Sequence, residues 1–309
     1  MTVYCWAARR QFALPAPEAR LLQATPDTQV LAHCYWQPDR ASRLTILGLH
    51  GLEASSSAHY MRGIADKAWR AGFNAVLLNQ RNCGGTEHLG PGLYHSGLVD
   101  DAALLIRQLA ETDGITRIVA AGYSLGGNLA LRLAGTHEPG VLPMLKGACA
   151  VSPVLDLESC VRALERPSNF VYQWNFVRNL RGRMRRKDAH FPGTFDLSRL
   201  GSIRSIRQFD AAYTAPYFGF ASAEDYYHRA AALRVIDRIQ VPTLIITAED
   251  DPFVPAASFR DPVIAANPNV RLIVTKYGGH CGFLAESNGA GDDGYWAERQ
   301  IVDFAAGLA

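Results

Sequence analysis

Short apolar, β-branched runs alternate along the chain with longer segments of helical period. The runs Gln29–Trp36, Leu44–Leu49, Asn74–Leu78, Arg117–Ala121, Gly147–Val151, Thr243–Thr247 and Arg271–Thr275 predict strands. Between them, Ala58–Ala71 places Tyr60, Met61, Ile64 and Ala68 on one face, and Leu98–Leu109 repeats leucine at similar spacing. Leu125–Leu133 follows the fourth of these strands after one tight turn, and Glu298–Phe304 predicts a closing amphipathic helix. Strands and helices in alternation are the pattern of an α/β fold with a mainly parallel sheet. The alternation stops at Pro153 and resumes after Gln240. The interval carries no strand pattern and is rich in aromatics, among them Phe170, Trp174, Phe176, Phe209, Tyr226 and Tyr227. The expected organisation is a core made of 1–152 and 241–309, with 153–240 inserted as a helical cap.

Composition narrows the class. At 309 residues, 48% apolar and 19% charged, the chain is globular. A chain of this length buries ~75% of its unfolded surface, so it needs no metal or disulfide staple. With 31 basic and 29 acidic residues the net charge is +2, too balanced for a protein that coats nucleic acid, so no nucleic-acid partner is expected. Six of the positives cluster at Arg178, Arg181, Arg183, Arg185, Arg186 and Lys187, which makes the basicity local. The six cysteines (Cys5, Cys34, Cys83, Cys149, Cys160 and Cys281) show no ligand-like spacing, so neither a zinc site nor a disulfide framework is expected. No apolar run is long enough to span a membrane. Met1–Gln11 lacks the apolar core of a secretory signal, and the expected compartment is the cytoplasm.

Candidate chemistry centres on Gly122-Tyr123-Ser124-Leu125-Gly126, a G-x-S-x-G pentapeptide between a predicted strand and a predicted helix. Such a turn thrusts the serine hydroxyl out of a strained backbone. A chain of this composition is expected to hold roughly 0.1 such pentapeptides by chance, so the strand-turn-helix context carries most of the weight. A serine hydroxyl needs a base to take its proton, and the base needs a third group to orient it. His280, in Tyr277-Gly278-Gly279-His280 after the last strand, is the candidate base. The acid is sought in Glu249-Asp250-Asp251, with Asp251 preferred and Asp250 its rival. All three elements fall at C-terminal strand ends, where open α/β sheets bind ligands. Oxyanion donors are expected from the backbone N–H groups of Leu52, after Gly51, and Leu125, after the nucleophile. His50 is expected to brace that loop rather than react. Gly84-Gly85 belongs to neither a G-x-x-x-x-G-K-[ST] nor a G-x-G-x-x-G pattern, so no nucleotide site is expected.

Taken together, the chain resembles the serine α/β-hydrolase superfamily, and within it the YheT-like, embryogenesis-associated esterase branch. The likeness rests on His50-Gly51-Leu52-Glu53, Asn79-Gln80-Arg81-Asn82-Cys83-Gly84-Gly85-Thr86 and Leu93-Tyr94-His95-Ser96-Gly97. It continues through Gly122-Tyr123-Ser124-Leu125-Gly126-Gly127-Asn128, Arg207-Gln208-Phe209-Asp210, Asp225-Tyr226-Tyr227 and Asp250-Asp251-Pro252-Phe253. It spans roughly residues 25 to 305. The resemblance implies a mainly parallel twisted sheet flanked by helices, with a helical cap. It also implies a cofactor-free carboxylic-ester hydrolase with a Ser124–His280–Asp251 triad, because the family acid commonly stands four residues before the proline matching Pro255. Two positions depart from the family pattern: Ala54 and Asn82 stand where many relatives carry glycine.

Expected partners are small-molecule ester or lipid substrates, including medium-chain acyl esters. Phe170, Trp174, Val177 and Met184 share one helical face, read as packing on the core, with acyl-chain lining as the sharper alternative. Arg181, Arg185 and Lys187 are expected on the opposite side. A weak contact with anionic membranes through Arg178–Lys187 stays open as a further reading. Two other functions compete: a non-catalytic ligand-binding protein on the same scaffold, and a phospholipase or lipase acting at a lipid surface.

Overall fold

Residues whose side chains are buried on both faces of a sheet need apolar groups at every position, and the central runs of this chain supply them. A computed structural model describes residues 10–287, 289 and 292–309. Cys5 and most of Met1–Gln11 lie outside the described residues. The strands are β1 (Glu18–Thr25), β2 (Thr28–Tyr35), β3 (Thr45–Leu49), β4 (Asn74–Asn79), β5 (Ile118–Tyr123), β6 (Leu145–Val151), β7 (Thr243–Ala248) and β8 (Val270–Thr275). They form one eight-stranded sheet in the order β1-β2-β4-β3-β5-β6-β7-β8. β1 and β2 pair antiparallel, as do β2 and β4, and every other pairing is parallel.

Successive residues of β5 alternate between the two faces. Ile118 and Ala120 join one hydrophobic cluster, while Val119, Ala121 and Tyr123 join the other. The first cluster is closed by α2 (Asp100–Asp113) and α3 (Leu125–Thr136), through residues such as Leu105, Leu109, Leu129 and Leu133. On the other face α1 (His59–Arg70) contributes Met61 and Ile64, and the C-terminal helix Trp296–Ala306 contributes Ile301 and Val302. These last two helices approach so closely that a Cβ on Gly63 would lie 2.3 Å from a carboxylate oxygen of Glu298. Glu298 is in turn paired with Arg10 at 2.6 Å and Lys67 at 2.8 Å.

Two features differ from the sequence expectation. β1 carries no apolar run: only Leu22 among its eight residues is buried, so its pattern does not stand out from a loop. It forms because it pairs with β2 across a tight turn that leaves Pro26 and Asp27 between the partners Thr25 and Thr28.

The second difference lies in the long segment between β6 and β7, which contains no strand. Its longer helices are α4 (Leu157–Leu164), α5 (Phe170–His190) and α6 (Ala223–Ala230), with a π-helical turn at Asp210–Thr214. On α5 the expected apolar face divides. Val177, Leu180 and Met184 are buried, whereas Phe170 and Trp174 face outward. Lys187, expected on the opposite, cationic side, is buried instead, and so is Arg183. The Lys187 ammonium donates to the Asn82 side chain and the Gly90 carbonyl, and Arg183 pairs with Glu53 at 2.8 Å. All three partners come from loops more than ninety residues away in sequence, which helical periodicity does not register.

Candidate active site

The sheet order reverses direction around β3, and loops leaving the C-terminal ends of β3, β5, β7 and β8 converge there, as ligand-binding loops do in open α/β sheets. β5 turns into α3 at Ser124, whose φ of 54° and ψ of −117° lie where a side chain is strained. The flanking glycines are demanded by close approach. A Cβ on Gly122 would sit 2.0 Å from the Gly126 carbonyl oxygen, and one on Gly126 would sit 2.0 Å from that of Leu49. The Ser124 N–H donates to the Val151 carbonyl at 2.9 Å and its own carbonyl accepts from Asn128 N–H at 3.0 Å, so the strained residue is held from both sides. The Asn128 side chain donates to the carbonyls of Ser96 and Ala230 and accepts from the Ala232 N–H, tying α3 to the long segment after β6.

His280 lies on the loop after β8. Its Nδ1 is 2.8 Å from Asp251 Oδ2, and both side chains are buried. The other Asp251 oxygen accepts from Phe253 N–H at 3.1 Å and Val254 N–H at 2.9 Å, which fixes the carboxylate. Asp250 faces elsewhere: its Oδ1 accepts from the N–H groups of Gly278 and Gly279 at 2.8 and 2.7 Å. The two adjacent aspartates thus divide the work, one touching the imidazole and the other holding the loop that presents it. Burial opposes a charge on His280, but the neighbouring Cys281 and the Asp251 carboxylate outweigh it and raise the imidazole above its ordinary pKa. Phe253 stacks against the ring at 4.1 Å between centroids, and Tyr172 and Phe176 pack on Phe253 in turn.

After β3 the chain runs through His50-Gly51-Leu52-Glu53 directly beside the nucleophile turn: a Cβ on Gly51 would lie 3.4 Å from that of Ser124. Tyr60 OH accepts from Gly51 N–H at 3.0 Å, and Ala54 N–H donates to the Gly51 carbonyl at 3.2 Å, closing a turn around Leu52. His50 is wholly buried, and its Nε2 accepts from Gln80 N–H at 3.1 Å. That bond assigns the ring proton to Nδ1, which points to the Gly51 carbonyl at 2.8 Å. Burial lowers its pKa to about 4, so it is a neutral brace. Glu53 also adopts a positive φ of 61°. Its N–H donates to Tyr94 OH at 3.2 Å, and its carboxylate receives Arg183 from α5. Sequence reasoning had no role for Tyr60, Tyr94, Arg183 or Phe253. Tyr94 and Phe253 stand in the Leu93–Gly97 and Asp250–Phe253 motifs, Tyr60 on the predicted helix face and Arg183 in the basic cluster, and none of these signals points to a place at the site. Asn82, one of the departures from the family pattern, has a φ of 67°, a conformation in which glycine is the usual occupant and asparagine a tolerated one.

Two openings meet at Ser124. One cleft is lined by Gly51, Leu52, Tyr60, Ser124 and His280. The other is a mainly apolar cavity bounded by Leu52, Ser124 and Leu125 at one part and by Leu157, Val161, Phe176 and Met184 of α4 and α5 at another. Asp210 lies buried in the same wall. Burial pushes its carboxyl up to about 6 against hydrogen bonds from Thr214 and Tyr227 hydroxyls at 2.7 and 2.8 Å. Among the described residues no group of three or more His, Cys, Asp or Glu could hold a metal ion.

Comparison with known proteins agrees with this architecture. Residues 45–287 match the family described as alpha/beta hydrolase fold. YheT of Escherichia coli (strain K12) is 37% identical over 270 residues, covering 87% of this chain and 77% of that protein. The chain is an α/β hydrolase of the YheT-like branch. Phospholipase ABHD3 of Mus musculus is 29% identical to this hydrolase over 299 residues, 92% of the chain and 72% of the relative. Among solved structures, the esterase Pf2001 of Pyrococcus furiosus superposes with a TM-score of 0.57 at 18% identity. That match covers 97% of the hydrolase and 99% of the esterase and speaks to the fold alone. Esterase- and lipase-type relatives make hydrolysis the general activity of the chain.

Proposed function

We propose that this hydrolase cleaves carboxylic esters, with Ser124 as nucleophile, His280 as general base and acid, and Asp251 as the group that orients the imidazole. The observation that carries the reading is a strained serine sharing a cleft with an imidazole whose far nitrogen is held by a buried carboxylate. Ser124 Oγ attacks the acyl carbon while its proton passes to His280 Nε2. The carbonyl electron pair moves onto oxygen, where the N–H groups of Leu52 and Leu125 receive it. Collapse expels the alcohol, protonated by His280, and leaves an acyl-enzyme. Water then gives its proton to His280 and attacks the acyl carbon. The acid leaves as the proton returns to Ser124. No cofactor enters the sequence.

In this reading residues 153–240 form the cap, and the apolar cavity beside Leu157 and Met184 takes the acyl chain. The phospholipase name of the mouse relative supports lipid acyl esters as candidate substrates. The described cysteines Cys34, Cys83, Cys149, Cys160 and Cys281 are all free, which supports a reducing cytoplasm.

A fluorophosphonate probe tests the nucleophile, because it phosphonylates only an activated serine. Labelling is expected on Ser124. Ser124→Ala is expected to lose labelling and on the order of 10⁶ in kcat on a short soluble ester. Undiminished turnover by folded Ser124→Ala protein would overturn the proposal, and labelling elsewhere would move the nucleophile.

A further inference from the structure

The outward side of α5 presents a pattern that the interior does not need. At about 100° per residue, the exposed Phe170, Trp174, Arg178 and Arg185 fall within about 80° of one another. Apolar residues occupy the first turns of this stripe and cations the rest. Phe170, Val171 and Trp174 are 66%, 69% and 52% exposed, an unusual concentration for adjacent large apolar side chains. Arg166, just before the helix, is exposed as well. Among the described residues, no carboxylate lies within ion-pair distance of the exposed Arg166, Arg178 or Arg185. By contrast Arg183 and Arg186, on other faces of the same helix, are paired with Glu53 and Glu87.

We infer that this face of α5 docks on an anionic lipid surface. The stripe extends for roughly 22 Å along the helix. A fluid interface accommodates such a rod: aromatic and aliphatic groups enter the acyl boundary while arginines meet the head groups. Unpaired arginines beside exposed aromatics supply the charge complementarity that selects an anionic surface over a neutral one. The adjoining flank of the same turns, at Asn175 and Asn179, lines the cleft that contains Ser124 and His280. Docking therefore brings the cleft to the membrane plane. It does not itself depend on ester hydrolysis.

Co-sedimentation with vesicles tests the inference, using phosphatidylcholine alone and phosphatidylcholine mixed with phosphatidylglycerol. Wild-type protein is expected to bind the mixed vesicles, and to bind less as salt shortens the Debye length from ~30 Å at 0.01 M to ~8 Å at 0.15 M. Each basic residue near such a surface contributes roughly fivefold, so Arg178→Gln with Arg185→Gln is expected to weaken partitioning roughly 25-fold. Phe170→Ser with Trp174→Ser is expected to cost roughly 100-fold. Both double variants should turn over a soluble short-chain ester as the wild type does. Loss of soluble turnover in every protein, wild type included, would count against the ester chemistry and leave the docking result standing. Equal binding by the arginine double variant, or no wild-type binding to mixed vesicles at low salt, overturns the inference. So does a wild-type dimer that Phe170→Ser with Trp174→Ser converts to monomer without any lipid binding, which would assign the face to a second copy.

Discussion

His50 and His280 occupy matched positions: each follows a strand of the parallel sheet, each is buried, and each stands beside the Ser124 turn. Their surroundings set them apart. His50 spends both ring nitrogens on backbone groups, Gln80 N–H and the Gly51 carbonyl, and burial drives it neutral. His280 meets a carboxylate whose second oxygen is already saturated by two N–H groups, and its pKa is raised despite burial. The chemistry of a buried imidazole is decided by what faces its second nitrogen.

That contrast can be broken by exchange experiments. On the proposed mechanism His280→Gln lowers kcat by on the order of 10⁶, whereas His50→Gln lowers it by roughly tenfold or less through slackening of the Leu52 turn. Steady-state kinetics on a soluble ester reads both, and comparable losses would erase the distinction. The aspartates form the next test. Asp251→Asn is expected to cost on the order of 10⁴ in kcat, because an amide no longer selects the Nδ1–H tautomer. Asp250→Asn keeps an acceptor for Gly278 and Gly279 and should lose less than about tenfold; the reverse ranking would reassign the acid.

The smallest effect is on stability and has opposite sign at the two histidines. His50 has a folded pKa below its unfolded value of about 6.5. The unfolded chain therefore binds the extra proton between pH 6.5 and 4, and stability falls as pH drops through that window, by about 3 kcal/mol at its foot. His280 is raised, so its contribution is fully present below the unfolded pKa and is lost as pH rises through the folded one. Urea midpoints from pH 7 to pH 4 should decline less in His50→Gln than in wild type. Parallel curves would show that His50 is not the titrating group.

The central strands and the Ser124 turn were legible because they depend on local patterns: runs of apolar residues for two buried faces, and glycines where backbones nearly touch. β1 was not legible, since a peripheral antiparallel strand with a single buried side chain, Leu22, leaves almost no pattern. Helix α5 was half legible. Its period was read correctly, but periodicity cannot say which residues find distant partners, and so it put Lys187 in solvent and Trp174 on the core. Asp250 and Asp251 were told apart only by the family spacing to Pro255, since no local pattern shows which of two adjacent aspartates faces His280.

The ties of α5 to the core have a mechanical consequence. Arg183 on Glu53, Lys187 on Asn82 and Gly90, and Arg186 on Glu87 fasten the helix across two successive turns. Swinging it away would strand two buried cations, at several kcal/mol for each broken partnership. It would also release the bend that carries Leu52. The helix is thereby held as a fixed part of the wall of both openings at Ser124.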